Sequence, residues 1–258
     1  MVAARMTIGG WRLSDLIKFL PSYVGSKAYW VRSLERYRGR DFVEFFAGSA
    51  VISASLAGRA VLNDNDPFLH KYFLQYESQP VVEKFTGEDY FRRRKQKNWW
   101  RWLYYLQKMS FSGVYRHSRN GYNVPIKPEY KSKPACLKDD VERSIDRFKS
   151  LDPVLLDLDY LRVPTPWRPD VAVLDPPYES KKAAYNVSPF DYGQYWDFVH
   201  RCIGLFRVVI VFDWDKNMDR HLPGHSYETR NMRVNGKYKG AKEAMCVIDN
   251  ENKDDEKK

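Results

Sequence analysis

Four consecutive apolar residues, Val171, Ala172, Val173 and Leu174, run straight into an aspartate and two prolines in the stretch "VAVLDPPYES". A continuous apolar run of this length, closed by turn residues, reads as a buried strand. Pro176 and Pro177 have no N–H to give to a sheet ladder, so the strand must end there. Asp175 then sits at the very edge of a core strand, and Tyr178 follows on a backbone stiffened by two fixed φ angles. Any fold of this chain has to place a buried strand with a rigid, acid-bearing exit.

The rest of the chain supplies partners for that strand. "AYWVRSLERY" puts Trp30, Val31, Leu34 and Tyr37 at helical spacing, and "DFVEFF" reads as a second buried strand. The small-residue turn "AGSA", a helix through "VISASLAG" and a strand "AVLNDND" ending in acids follow. Pro67 suits the first turn of the next helix, whose Phe68, Leu69, Tyr72, Phe73 and Tyr76 form one face. The order αβαβα is the grammar of a parallel sheet covered by helices. "LKDDVERSIDRFKSL" is amphipathic through Leu137, Val141, Ile145 and Phe148. Strands are expected at "PVLLDL", "VAVL" and "VVIVFD", with a helix over "DYGQYWDFVHRCIGLF" between the last two. A turn at Asn235-Gly236 and the strand "AMCVID" predict an antiparallel end to the sheet.

Between 86 and 134 the grammar changes. "YFRRRKQKNWWRWLYYLQKM" predicts one helix with a basic stretch and an aromatic one. "SFSGVYRHSRNGYNVPIKPEYKSKP" is rich in turn formers and predicts a hairpin or ordered loop. The expected organisation is therefore one α/β domain made of 1–85 and 135–250, an inserted lobe at 86–134, and a disordered charged tail at 251–258.

Composition bears on the partner. The 258 residues carry a formal net charge of +10, with 16% aromatic residues. Such a chain suits a polyanion whose bases can stack, which means nucleic acid; a generically basic protein with an aromatic core fits the same numbers. Cys136, Cys202 and Cys246 are far apart and form no CxxC pair, so neither a zinc site nor a disulfide framework is expected, which fits a reducing cytoplasm. No metal is expected, nor is a membrane-spanning run present.

Three motifs carry chemistry. The small residues Ala47, Gly48 and Ser49 after the first strand read either as close packing or as backbone approaching a ligand at the strand's carboxyl end, where open α/β sheets bind ligands. The segment is neither GxGxxG nor a P-loop, which disfavours a dinucleotide or triphosphate. Asp64 ends the next strand, either as a helix cap or as an acceptor for a ribose hydroxyl pair. "DPPY" is the most specific. The Asp175 carboxylate and the Pro176 carbonyl are two acceptors on one side, suited to the two hydrogens of an exocyclic amine, and the Tyr178 ring can stack on the base that bears it.

Together these motifs resemble the Dam-like adenine-specific DNA methyltransferases, over roughly 20–249. "YVGSK" resembles that family's N-terminal Gly-Gly-Lys segment, which implies Tyr23, Gly25 and Lys27 near the cofactor. "FVEFFAGSA" resembles its FVEPFxGsG motif, with Phe45 where proline is usual, and implies Glu44, Phe46, Ala47, Gly48 and Ser49 as cofactor residues. "LNDND" matches the strand-end acid at Asp64. "LDLDYLRVP" resembles the element beside the cofactor's adenine and implies Asp159 and Tyr160. "FSGVYRHSRNGYNVPI" resembles the DNA-reading signature, with Ser112 where asparagine is usual. It implies Arg116, His117, Arg119, Asn120, Tyr122 and Asn123 at the DNA. Arg92, Arg93 and Arg94 are either phosphate contacts or a solvated helix face. "DPPY" is similar to the catalytic motif, implying Asp175, Pro176, Pro177 and Tyr178, with Asp175 also beside the cofactor. "KEAMCVIDN" resembles the closing strand, while "FDWDKN" departs from the Ser/Asn-rich loop usual after the catalytic helix.

The fold implied is α/β, a Rossmann-like S-adenosylmethionine-dependent methyltransferase sheet with an antiparallel C-terminal end and a small inserted DNA-recognition lobe. The function implied is methyl transfer to the exocyclic amine of adenine in double-stranded DNA, from S-adenosylmethionine, on a flipped-out base. Stacking uses only the ring, so Tyr178→Phe is expected to be mild. The cytosine amine, an RNA adenine, or a catalytically inactive DNA-masking protein of the same fold are the alternatives. Methylation of a cytosine ring carbon is set aside, because that needs a cysteine nucleophile usually following proline, and Cys136 follows Ala135.

Overall fold

The computed structural model describes residues 16–23, 25–165, 168–178, 190–234 and 237–251. In chain order the strands are β1 (Asp41–Glu44), β2 (Arg59–Asn63), β3 (His117–Ser118), β4 (Gly121–Tyr122), β5 (Val154–Leu156), β6 (Val171–Leu174), β7 (Val208–Trp214), β8 (Tyr227–Val234) and β9 (Lys237–Asp249). The α-helices are α1 (Val51–Leu56), α2 (Pro67–Leu74), α3 (Gly87–Arg93), α4 (Leu103–Met109), α5 (Lys138–Leu151), α6 (Tyr192–Leu205) and α7 (Asp215–His221). The chain divides into two compact units. One holds Arg40–Ala47, Gly58–His70 and Pro153–Lys258; the other holds Met1–Gly39, Gly48–Ala57 and Lys71–Asp152.

The first of these is built on a seven-stranded sheet in the order β5-β2-β1-β6-β7-β9-β8. β5, β2, β1, β6 and β7 are parallel to one another, whereas β9 runs antiparallel to both β7 and β8. This is the expected α/β, Rossmann-like sheet with its antiparallel C-terminal end. Every residue of "VAVL" is buried, as a strand flanked on both sides and covered on both faces must be. Val171 pairs with Phe42 on one side and Val208 on the other. Val43, Ala172, Leu174, Val209 and Val211 share a core with Tyr195, Val199 and Cys202 of α6 and Met218 of α7. The expected turn at Asn235-Gly236 lies outside the described residues. Of the expected tail, Glu251 is held: it pairs with Arg40 at 2.6 Å, and its N–H donates to Asp249. Residues 252–258 lie outside the described ones.

The second unit is helical, with a two-stranded hairpin of β3 and β4. Tyr72, Tyr76, Phe19 and Phe148 are all buried, and the Tyr72 hydroxyl donates to the Phe19 carbonyl at 2.7 Å. Arg147 of α5 donates to the Ala54 carbonyl at 2.8 Å and also reaches that of Ala57, satisfying carbonyls at the end of α1 that have no partner within the helix.

One helix was expected across 90–109, and the structure has two, α3 and α4, separated by a 3-10 turn at Trp99–Trp102. The physical reason lies in the hairpin. The Arg94 carbonyl, which a continuous helix would give to the N–H of Asn98, instead accepts the N–H of Tyr122 at 2.9 Å. The segment "FDWDKN", which departs from the loop of the resembled family, closes β7 and opens α7, which begins at Asp215 directly after the last strand residue Trp214.

Candidate active site at the reversal of the sheet

The strand order reverses between β1 and β6. From β1 the chain proceeds outward through β2 to β5, and it returns to β6 on the other side. In open α/β sheets, ligands bind at the carboxyl ends of the strands beside such a reversal. Within the sheet unit, this places Glu44 to Ala47 and Asp175 to Tyr178 at the candidate site.

At the end of β1, Glu44 is buried and the Phe45 N–H donates to Val173 at 3.2 Å. Phe45, which stands where a proline is usual in the resembled motif, turns inward. Its ring packs edge-on against Phe198 at 4.9 Å and against Phe206 at 6.1 Å, so the core absorbs the departure. Phe46 turns the other way and is only half-buried.

Asn63, the last residue of β2, holds the neighbouring strand exits in place. Its side chain is buried and donates to the carbonyls of Phe45 and Leu158, each at 3.0 Å, and accepts the Leu158 N–H at 3.0 Å. The Ala47 N–H donates to the Asn63 carbonyl at 2.7 Å, and the Asp64 N–H to that of Leu156 at 3.2 Å. The backbones leaving β1, β2 and β5 are thereby tied together beside Ala47, Asp64 and Asp159. Asp64 does not cap the next helix. Asp66 does, accepting from Phe68 and Leu69 at 2.8 and 3.1 Å, while Asp64 accepts from the Asp66 N–H at 3.0 Å.

An aromatic group surrounds Phe46. Its ring lies 5.1 Å from Tyr160, 5.8 Å from Phe190 and 6.0 Å from Tyr195. The Tyr160 and Tyr195 hydroxyls are both buried without a hydrogen-bond partner among the described residues. Burial, with Asp159 and Asp191 close by, pushes the Tyr160 phenol up to about 12. Burial, with Asp213 and Asp175 close by, raises that of Tyr195 well above its ordinary value. Both hydroxyls therefore stay protonated and able to donate. Asp159 itself is exposed and accepts from Leu161 at 2.9 Å.

Past β6, Asp175 is half-buried and Pro176 buried. The Pro177 carbonyl accepts the Tyr192 hydroxyl at 2.7 Å, whereas the Pro176 carbonyl has no hydrogen-bond partner among the described residues. Tyr178 meets the Trp214 ring edge-on, with centroids 5.1 Å apart, and donates its hydroxyl to Glu243 at 3.1 Å. Asp213 is fully buried at the end of β7 and accepts from Asn217 at 2.9 Å.

In the helical unit, Tyr23, Gly25, Lys27, Gly48 and Ser49 form a second group. Gly48 has φ +49, and a Cβ there would lie 3.1 Å from the Tyr23 ring. Lys27 is buried and donates to the Gly25 carbonyl at 2.6 Å, and the Ser49 hydroxyl reaches that of Ser26 at 3.5 Å. The residues expected at DNA differ in placement. Arg92, Arg116, Arg119, Asn120 and Asn123 are exposed, though Arg92 pairs with Asp89 and Arg116 donates to the Asn123 carbonyl at 2.8 Å. Arg93 lies over the Trp102 ring at 4.0 Å, and Arg94 donates to the Val124 carbonyl at 2.9 Å. His117 is half-buried, 5.8 Å from Trp99. Tyr122 is buried, and its hydroxyl is engaged by Gln107 and the Val114 carbonyl. Arg93, Arg94 and Tyr122 thus shape the segment from within.

Asn63, Phe190, Tyr195, Trp214 and Glu243 were not singled out by the sequence. Glu243 stands in "KEAMCVIDN" and Asn63 in "LNDND", but only register and hydrogen bonding give them roles.

Among the described residues, no group of three or more His, Cys, Asp or Glu side chains is placed to hold a metal ion, and no helix is long and apolar enough to cross a membrane. No family model matches the chain, and no curated protein matches it in sequence. Among solved structures, the crystal structure of M. jannaschii tRNA m1G37 methyltransferase aligns with 86% of this chain and 46% of its own, at 10% identity and a TM-score of 0.38.

Proposed function

We propose that this chain transfers a methyl group from S-adenosylmethionine to the exocyclic amine of adenine in double-stranded DNA. The observation that carries the reading is the exit of β6. There a half-buried carboxylate on Asp175 adjoins a Pro176 carbonyl with no hydrogen-bond partner among the described residues, while Tyr192 occupies that of Pro177. Two adjacent acceptors match the two hydrogens of an amine whose lone pair is otherwise delocalised into its ring. Accepting both hydrogens favours a more tetrahedral nitrogen and aims its lone pair outward. A base inside a duplex is out of reach, so it has to be flipped out at a cost of about a few kcal/mol. Stacking on the Tyr178 ring returns about 1–3 kcal/mol.

The residues of the sheet unit suit the cofactor. Phe46, Tyr160 and Phe190 offer apolar rings for an adenine, and two buried hydroxyls lack partners among the described residues. Asp64 and Asp159 are acceptors for ribose hydroxyls. Asp175 and Asp213 are carboxylates suited to a cation. When bound, the cofactor would supply an electrophilic methyl on a positively charged sulfur and leave as the neutral thioether, and the methylated amine would release one proton to solvent. The chain's part is to hold the amine nitrogen in line with it at roughly 3–3.5 Å.

The test is methyl transfer from labelled cofactor to a randomised DNA duplex, with single-stranded DNA and RNA as parallel substrates. The wild type is expected to label adenine in the duplex, and Asp175→Ala to lose about 100-fold or more while still binding DNA. Asp64→Ala is expected to weaken cofactor binding measured by calorimetry. A folded wild type that binds no cofactor ends this reading. Labelling of RNA alone replaces the substrate and keeps the chemistry.

A further inference from the structure

Tyr178 is held at three places. Its backbone follows two prolines, its ring meets Trp214 at an interplanar angle of 63°, and its hydroxyl donates to Glu243 Oε1 at 3.1 Å. Glu243 lies on β9 directly opposite Trp214 of β7 and is only 2% exposed. A buried carboxylate is costly unless hydrogen bonds hold it, so a glutamate here calls for a reason beyond packing. Burial, with the carboxylates of Asp175, Glu243 and Asp213 nearby, raises the Tyr178 phenol well above its ordinary value. The hydroxyl is therefore a donor throughout the working range of an enzyme.

We propose that Glu243 is a positioning residue for the tyrosine of the DPPY motif, its hydrogen bond to the Tyr178 hydroxyl fixing the rotation of the ring and so the face offered to the target base. The proposal rests on the methyl-transfer reading. A ring that only stacks would work equally well as phenylalanine. A tethered ring would not, because Tyr178→Phe removes the donor and leaves the Glu243 carboxylate one hydrogen bond short. The mild outcome expected for Tyr178→Phe from the sequence is thereby reversed.

The test compares the wild type with Glu243→Gln, Glu243→Leu, Tyr178→Phe and the double variant Glu243→Leu/Tyr178→Phe. It measures kcat and KM for methyl transfer to duplex DNA, and the calorimetric Kd for S-adenosylhomocysteine. Glu243→Gln keeps a carbonyl acceptor and is expected to stay within about threefold of the wild-type kcat. Tyr178→Phe and Glu243→Leu are each expected to lose about 10- to 100-fold in kcat, with cofactor affinity unchanged. Adding Glu243→Leu to Tyr178→Phe should then cost little more, because the bond it removes is already gone. Wild-type kcat in Tyr178→Phe overturns the proposal, as does a Glu243→Leu loss that persists undiminished in the Tyr178→Phe background. Should Glu243→Leu not fold, the rescue by Gln and the Tyr178→Phe result still decide it. If the folded wild type transfers no methyl group, the functional reading falls and takes this inference with it. If the wild type transfers and Tyr178→Phe matches it, the inference falls alone.

Discussion

Asn63 shows how much a single amide can organise. Its two N–H groups and one carbonyl close three hydrogen bonds of 3.0 Å to backbone leaving β1 and β5. No other side chain of similar size supplies two donors and an acceptor in that plane. Asn63→Ala leaves buried backbone groups without partners, at about 1–3 kcal/mol for each group that water cannot reach. We expect it to lower unfolding stability by about 2–4 kcal/mol in urea titrations. Cofactor binding should weaken more than in Asp64→Ala, because Phe45, next to the Ala47 turn, and Leu158, next to Asp159, lose the side-chain bonds that hold them. Asn63→Asp should rescue neither property, since a carboxylate cannot donate to the carbonyls of Phe45 and Leu158. At this scale the sequence was legible where chemistry is written in residue type. Asp175 and the two prolines announce themselves, and Asp64 stands at a strand end. Asn63 was hidden because an asparagine at a strand end is as common in turns as in clamps, and only the carbonyls around it tell the two apart.

Among the elements, the buried strands were readable because a continuous apolar run closed by Pro or Asp leaves few other outcomes, and β6, β7 and α6 are where the pattern put them. The helix expected across 90–109 failed for a reason the local sequence does not contain. No glycine or proline breaks "YFRRRKQKNWWRWLYYLQKM"; the break comes from the hairpin, whose Tyr122 N–H takes the Arg94 carbonyl. Gly121 makes that approach possible. It has φ +102, and a Cβ there would lie 2.2 Å from the Arg94 carbonyl oxygen, so backbone would have to move. Gly121→Ala is therefore expected to destabilise the protein by more than about 1 kcal/mol in thermal or chemical unfolding. Gly204→Ala is the control. It lies within α6 with nothing within 4 Å of the added Cβ, and it should stabilise by about 0.5–1 kcal/mol. Equal losses from the two would mean that the close approach at Arg94 does not hold the hairpin.

Over the whole molecule, the net charge of +10 says that a polyanion is a suitable partner, but not which basic side chains meet it. The structure sorts them. Lys95, Lys97, Arg101, Arg116 and Arg119 are exposed in the helical unit, while Arg93 and Arg94 are engaged by Trp102 and Val124. If the proposed duplex is the partner, changing Lys95, Lys97 and Arg101 to Gln should flatten the dependence of log K on log salt, by about 0.9 for each phosphate that is no longer neutralised, with folding stability unchanged. Arg94→Gln should instead lower stability, and an unchanged salt slope in the triple variant would remove this surface from the binding role. The charge surplus was legible from composition. Its division into exposed and engaged side chains was not, because that depends on which carbonyls and rings the fold brings near each guanidinium. The order of the sheet has a further consequence, in time. β9 is the last of the described strands to be synthesised, yet it lies between β7 and β8 and brings Glu243 to Tyr178, 65 residues earlier. At about 5–20 residues per second, the ribosome delivers the tyrosine roughly 3–13 s before the carboxylate that steadies it. A growing chain can present the DPPY turn but not a fixed Tyr178 ring, so under the proposed tether competence arrives in a single late event, when β9 slots between strands already made.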